Sequence, residues 1–165
     1  MFHIIMGITI IALIALDQLT KHLAQVHLAP VREVVLIEGI LSLFFHTNKG
    51  MAFGLLQGGR IFFIISTIIV LILIAYNYFT LPKTRIYNFI RIMLAVLVAG
   101  ALGNFIDRVR QGYVVDFIFI RAINFPIFNV ADILIVVSSL SIGVVAFIMM
   151  AREAKSKKTE KVKDE

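Results

Sequence analysis

The sequence predicts a mostly α integral membrane protein: four transmembrane helices, a small β element and a short interfacial helix. Three observations carry this. Of the 165 residues, 60% are hydrophobic, against roughly 45–50% in soluble domains. The mean hydropathy is +0.96. The apolar residues also gather in four runs that reach, or nearly reach, the roughly 20 residues a helix needs to cross the hydrocarbon core.

The first run, Ile4–Leu16, attains span length at about Leu23 when Asp17 and Lys21 lie at the interface. It opens with MFHIIM, which lacks Lys and Arg, and DQLTK follows it in place of a small-residue cleavage site. A retained helix is therefore expected rather than a cleaved leader. The next loop contains VREVVLIEGILSLFFHT, with β-branched and aromatic residues around Glu38-Gly39. That pattern predicts a hairpin. GMAFGLL, at 50–56, predicts the short interfacial helix. The second run, Ile61–Leu81, carries no charge, and the third, Ile92–Ile106, extends back to Ile86. GYVVDFIFI then alternates in part and predicts a short strand. The fourth run is Ile133–Ala151. One membrane domain thus covers 1–151. Its spans lie near 4–23, 61–81, 86–106 and 131–151, with loops at 24–60 and 107–130. A basic tail, 152–165, is expected to be solvated and partly disordered.

Four spans put both termini on one side. The loop Pro82–Arg91 and the tail hold nine of the 16 basic residues, and the short loop has no acid. The bias places the termini in the cytoplasm and the loops 24–60 and 107–130 outside. The net charge of +6 is accounted for by loops and a tail facing anionic membrane lipid, with no need of nucleic acid. Cysteine is absent, which excludes disulfides, thiolate nucleophiles and cysteine-ligated metals. His3, His22, His27 and His46 are scattered without metal-ligand spacing, so no metal or other cofactor is expected. Ser138, Ser139 and Ser141 sit in the fourth span and read as helix-packing residues.

The polar residues of the spans gather at one level. Asp17, Asp107, Asp116 and Asp132 all map to the outer boundary, as do Asn48, Asn104 and Asn129. Ionisable groups at membrane depth are candidates for function. Asp17 and Lys21 are also placed to pair at i,i+4. Asp107 beside Arg108 reads as an ion-paired scaffold, with Gly100 and Gly103 as close-packing positions on the same helix. Asn129 and Asp132 have the spacing of an N-cap and its capping box, a structural role that leaves chemistry open. Asp116 stands apart, flanked by Val114, Val115, Phe117 and Ile118. A carboxyl in apolar company has its pKa raised and needs a partner or a proton. Two carboxyls sharing a proton suit general acid–base work on water. A proton- or cation-coupled transporter also uses membrane carboxylates, usually near the midplane and with repeats. A non-catalytic scaffold would make no use of Asp116.

Five stretches together resemble the bacterial lipoprotein signal peptidases, the type II signal peptidases. They are DQLTK at 17–21, NKGMAFG at 48–54, GALGNFIDR at 100–108, VVDF at 114–117 and FNVAD at 128–132. The resemblance implies an aspartic endopeptidase of the cytoplasmic (inner) membrane. Such an enzyme removes the signal peptide from prolipoproteins, cutting before a cysteine that already carries diacylglycerol. It implies four helices with an extracytoplasmic β cradle and a short covering helix. It carries the catalytic pair onto Asp116 and Asp132, and supporting or substrate-binding roles onto Asp17, Lys21, Asn48, Gly50, Asn104, Arg108 and Asn129. It further implies inhibition by globomycin-type cyclic peptides. One complete site on four helices needs no partner subunit, so a monomer is expected. Met51 stands where many members have alanine, and Ile133 where serine is frequent.

Overall fold

The computed structural model describes residues 1–50 and 58–163, with side chains described through Lys155. Four helices are long and apolar enough to cross a membrane. They are α1 (Phe2–Leu23), α2 (Arg60–Thr80), α3 (Arg85–Gln111) and α4 (Val130–Lys163). A single π turn, Ala24–Leu28, prolongs α1. Three strands form an antiparallel sheet in the order β1 (Glu33–Ile37), β2 (Leu41–Asn48) and β3 (Val114–Ile120). The predicted helix at GMAFGLL falls almost wholly outside the described residues.

The bundle is built around α3. In its most apolar stretch 44% of the residues are buried, against 6–11% in the other three helices. All three pack on it. Their outward faces remain apolar: Ile4, Ile61 and Phe147 are each about 70% exposed. In a bilayer those faces meet acyl chains, so exposure costs nothing. Small residues let the backbones approach. A Cβ on Gly100 would lie 2.6 Å from the Ala131 carbonyl oxygen, and one on Gly103 only 2.5 Å from Asp17 Oδ2. Gly143, in contrast, has open space around it. Alanine at 100 or 103 should therefore cost about 1–3 kcal/mol through overpacking, outweighing a propensity gain of about 1 kcal/mol. Gly143→Ala should be neutral or stabilising. Thermal unfolding of the three purified variants checks the ranking, and equal stability of all three would refute it.

Helix α3 runs beyond the expected boundary at residue 106. It ends where Gly112 takes φ 80°, its N–H donating to the Arg108 carbonyl. Glycine adopts that left-handed C-terminal geometry with no Cβ penalty. Gly39, at φ 69°, turns the β1–β2 hairpin as expected. Into the basic tail, α4 continues unbroken to Lys163. Its Ala, Glu and Lys residues are strong helix formers, so nothing in the composition stops the helix at the membrane edge.

The sheet lies at the α1–π turn end of the bundle. Val115 and Phe117 of β3 pack on Ala24 and Leu28. Alternation along the strand turns Asp116, between them, to the other face. There it meets Asn48 at the end of β2 and Asn129 at the start of α4. Arg91 is 4% exposed. It donates to the carbonyls of Tyr78, Leu81 and Pro82 at the end of α2. A residue that counts as a loop cation in the sequence is thus a clamp on the α2–α3 connection.

Candidate active site

The site is assembled from two layers. The lower one is centred on Lys21, which is 2% exposed. Its Nζ lies 2.9 Å from Asp17 Oδ2 and 3.1 Å from Asp107 Oδ2. It also donates to Asn104 Oδ1 at 2.9 Å. All three ammonium protons have acceptors, as a buried cation requires. The second oxygens of these acids, or their second lone pairs, hold backbone. Asp17 Oδ1 accepts from the Ala131 N–H at 2.9 Å, and Asp107 Oδ2 from the Val115 N–H at 3.2 Å. Ala131 immediately precedes Asp132, and Val115 immediately precedes Asp116. The charge cluster therefore fixes the chain one residue before each of the other two carboxylates.

The expected pairing of Asp107 with Arg108 is not formed. Consecutive helical residues diverge by about 100°, so neighbours in sequence do not face each other. Arg108 instead donates to the carbonyls of Gly50 at 3.3 Å and Asn104 at 3.4 Å, and lies 4.7 Å over the Phe63 ring. Gln18, not among the expected site residues, donates to Asp107 Oδ1 at 3.0 Å and to the Gly103 carbonyl at 3.2 Å. Its available signal is adjacency to Asp17 at a polar helix end.

The upper layer holds Asp116 and Asp132 between asparagines. The capping box is formed in both directions: Asp132 N–H donates to Asn129 Oδ1 at 3.0 Å, and Asn129 N–H to Asp132 Oδ2 at 3.1 Å. Asn129 does more than cap. Its Nδ2 donates to Asp116 Oδ1 at 2.6 Å and to Asn104 Oδ1 at 3.2 Å. Asn104 Nδ2 donates to Asp132 Oδ1 at 2.8 Å, and Asn48 Nδ2 to Asp116 Oδ2 at 3.0 Å. Asn48 Oδ1 in turn accepts from the Gly50 N–H at 3.0 Å. All nine residues to which the family resemblance assigns a role thus join one hydrogen-bond network. Among the described residues, no buried side-chain nitrogen or oxygen lacks a partner.

Electrostatically the two layers differ. Asp17 and Asp107 share the Lys21 charge, whereas neither Asp116 nor Asp132 forms an ion pair among the described residues. Asp116 is 1% exposed. Burial, and then the nearby Asp132 charge, push its pKa up to about 7 against the opposing hydrogen bonds of Asn48 and Asn129. Both carboxylates line a cavity of about 500 Å³, together with Asn48, Gly50, Asn104 and Arg108. Its remaining walls are mostly apolar, from α2 (Phe63, Val70) and α4 (Ile135, Val136). Val136 is also 54% exposed on the lipid-facing side of α4. The cavity consequently joins polar carboxylates to the bilayer-facing surface. The arrangement suits proton transfer to and from a group held between two carboxyls in a partly dry site.

Comparison with known proteins follows the same lines. The family model described as signal peptidase (SPase) II matches residues 9–151. The lipoprotein signal peptidase of Caldanaerobacter subterraneus subsp. tengcongensis is 44% identical over 140 residues, covering 84% of this chain and 93% of that one. That of Halalkalibacterium halodurans is 40% identical over 158 residues, covering 93% and 96%. One from Staphylococcus aureus is 42% identical over 150 residues, covering 89% and 88%. Among solved structures, a bacterial membrane enzyme determined by the in meso method at 2.3 Å resolution superposes with a TM-score of 0.76 at 34% identity. That match covers 92% of this chain and 90% of the other.

Proposed function

Because the chain belongs to the signal peptidase II family, we propose that Asp116 and Asp132 are an aspartic-protease dyad that removes signal peptides from diacylglyceryl-modified prolipoproteins. The observation that carries this is the contrast between the two layers. One pair of acids is neutralised by Lys21. The other pair faces a cavity, forms no ion pair among the described residues, and is tied together through Asn129.

The two carboxyls share one proton and hold a water between them. The ionised member takes a proton from the water as its oxygen attacks the scissile carbonyl, and the protonated member hydrogen-bonds the carbonyl oxygen. The tetrahedral intermediate collapses as a proton passes to the leaving amine. Asn48, Asn104 and Asn129 orient the carboxylates by donating to them. The proton belongs to the pair rather than to either member, because closely coupled groups titrate together. The apolar walls between α2 and α4 receive the lipid anchor while the peptide bond reaches the dyad. With the termini cytoplasmic, this places the dyad at the outer boundary of the cytoplasmic membrane.

A cleavage assay tests the reading. Purified protein is mixed with a diacylglyceryl-modified prolipoprotein, with and without globomycin. Loss of the signal peptide, blocked by globomycin, is expected. A folded protein that leaves the lipidated substrate intact would overturn the proposal. The pH profile supplies a second check. Turnover requires one protonated and one ionised carboxyl, and the raised pKa of Asp116 keeps a proton in the site up to about pH 7. The rate kcat/KM should therefore decline above neutrality as that proton is lost, and decline again in acid as the second carboxylate is protonated. A profile flat from about pH 5 to about pH 9 contradicts a shared proton.

A further inference from the structure

The end of the bundle opposite the carboxylates carries a pair of cavities, and the proposed peptidase activity uses neither. Helices α1 and α2 each pack on α3. Between them a crevice of about 420 Å³ remains, lined by Met6, Gly7 and Ile10 of α1, Leu71 and Ala75 of α2, and Val98 of α3, among others. Its wall is almost wholly apolar. Immediately beyond lies a more polar cavity of about 520 Å³, lined by Phe2, Lys83, Asn88 and Arg91. His3, Tyr78 and Phe79 line both cavities, so the two share a wall. His3 Nδ1 and the Tyr78 hydroxyl, 2.8 Å apart, make that wall a polar step between an apolar slot and a basic rim.

We propose that this paired cavity binds one anionic phospholipid from the leaflet opposite the carboxylates. An acyl chain fills the crevice, and the phosphate sits at the basic rim. Three features favour that occupant. The crevice is a slot among membrane helices, where a chain of methylenes is the available filler. The rim has two basic side chains and no acid, which complements a negative headgroup. The polar groups there also divide their duties. Arg91 spends its guanidinium on the carbonyls of Tyr78, Leu81 and Pro82 and on Asn88 Oδ1, so it supplies a fixed positive field. Exposed Lys83 and the Asn88 amide supply donors that reach a phosphate.

The test uses the whole protein in zwitterionic detergent. Phosphatidylglycerol, phosphatidylcholine and inorganic phosphate are added separately, with retention read by native mass spectrometry and stability by thermal unfolding. One basic residue at a membrane surface corresponds to about 1 kcal/mol, or roughly fivefold in affinity. A phosphatidylglycerol preference of at least that size is expected for the wild type. Lys83→Gln should reduce it towards parity with phosphatidylcholine. Gly7→Leu should weaken retention of both lipids, since Gly7 lines the crevice, a Cβ there meets nothing within 4 Å, and a longer side chain would take up the slot. Prolipoprotein cleavage by both variants should match the wild type, which shows that they are folded. Equal retention of the two lipids by wild type, an unchanged preference in Lys83→Gln, or full stabilisation by inorganic phosphate alone would each overturn the proposal.

Discussion

Asp116→Asn and Asp132→Asn should each lower turnover by about 10²–10⁴-fold, the range typical of losing a positioned general acid or base, while the protein stays folded. The structural side of this forecast is a balance. Asp116 is buried and its pKa stands at about 7, so ionising it near neutrality works against the fold. A neutral amide removes that burden. It also presents an NH₂ where Asn48 and Asn129 now donate, and an unmet buried donor costs about 1–3 kcal/mol. The two effects oppose, so unfolding temperature should move little while activity disappears. A residue acting only as structure would show the reverse, losing stability first and activity with it. Residues that act as a unit are also non-additive. The double variant Asp116→Asn/Asp132→Asn should be no slower than either single one. Cleavage rates and thermal unfolding on the same preparations decide the matter. Full activity in either single variant, or multiplicative losses in the double, would remove the dyad from the mechanism.

Much of the fold was legible because the bilayer imposes lengths. Four runs of sufficient apolar length leave little choice of architecture, and Glu38-Gly39 marks its hairpin by a turn only glycine makes comfortably. The Asn129–Asp132 capping box was likewise readable, since both partners lie within one helical turn. Pairings across the fold were harder. Arg108 is the chain neighbour of Asp107 and looks like its partner, yet Lys21, on α1, takes that place. Helical geometry forbids the adjacent pairing but does not say which distant cation replaces it. Gln18 stays hidden for the same reason, because two of its acceptors lie on α3. Arg91 reads as a loop charge because composition does not show whether a guanidinium meets water or carbonyls. Hydropathy alone does not locate the end of α3, whereas Gly112 after Arg-Gln is a usable stop signal.

Lys21→Met should produce a large loss of stability. Methionine preserves the length and removes the charge, leaving Asp17 and Asp107 buried with no cation between them. Breaking one partner out of a buried pair costs about 3–5 kcal/mol, because the charge left behind has no solvent to return to. For a chain of this size, that corresponds to a fall in unfolding temperature on the order of 10 °C. The Arg121–Glu33 pair at the sheet gives the contrast. Its side chains are 39% and 25% exposed, and such pairs are worth about 0–1 kcal/mol, so Arg121→Ala should be nearly silent. The Lys21 variant should also lose activity, through the chain rather than through contact with substrate. Asp17 and Asp107 hold the N–H groups of Ala131 and Val115, one residue before each carboxylate of the dyad. If they relax, both carboxylates shift, and the fall should appear in kcat more than in KM. Lys21→Arg should not restore the wild type, since a planar guanidinium cannot reproduce the contacts of a compact ammonium with three acceptors. Far-UV circular dichroism through a thermal ramp measures the first effect and steady-state kinetics on folded protein the second. Should Lys21→Met unfold at the wild-type temperature and cleave at the wild-type rate, the charge cluster neither supports the fold nor positions the dyad.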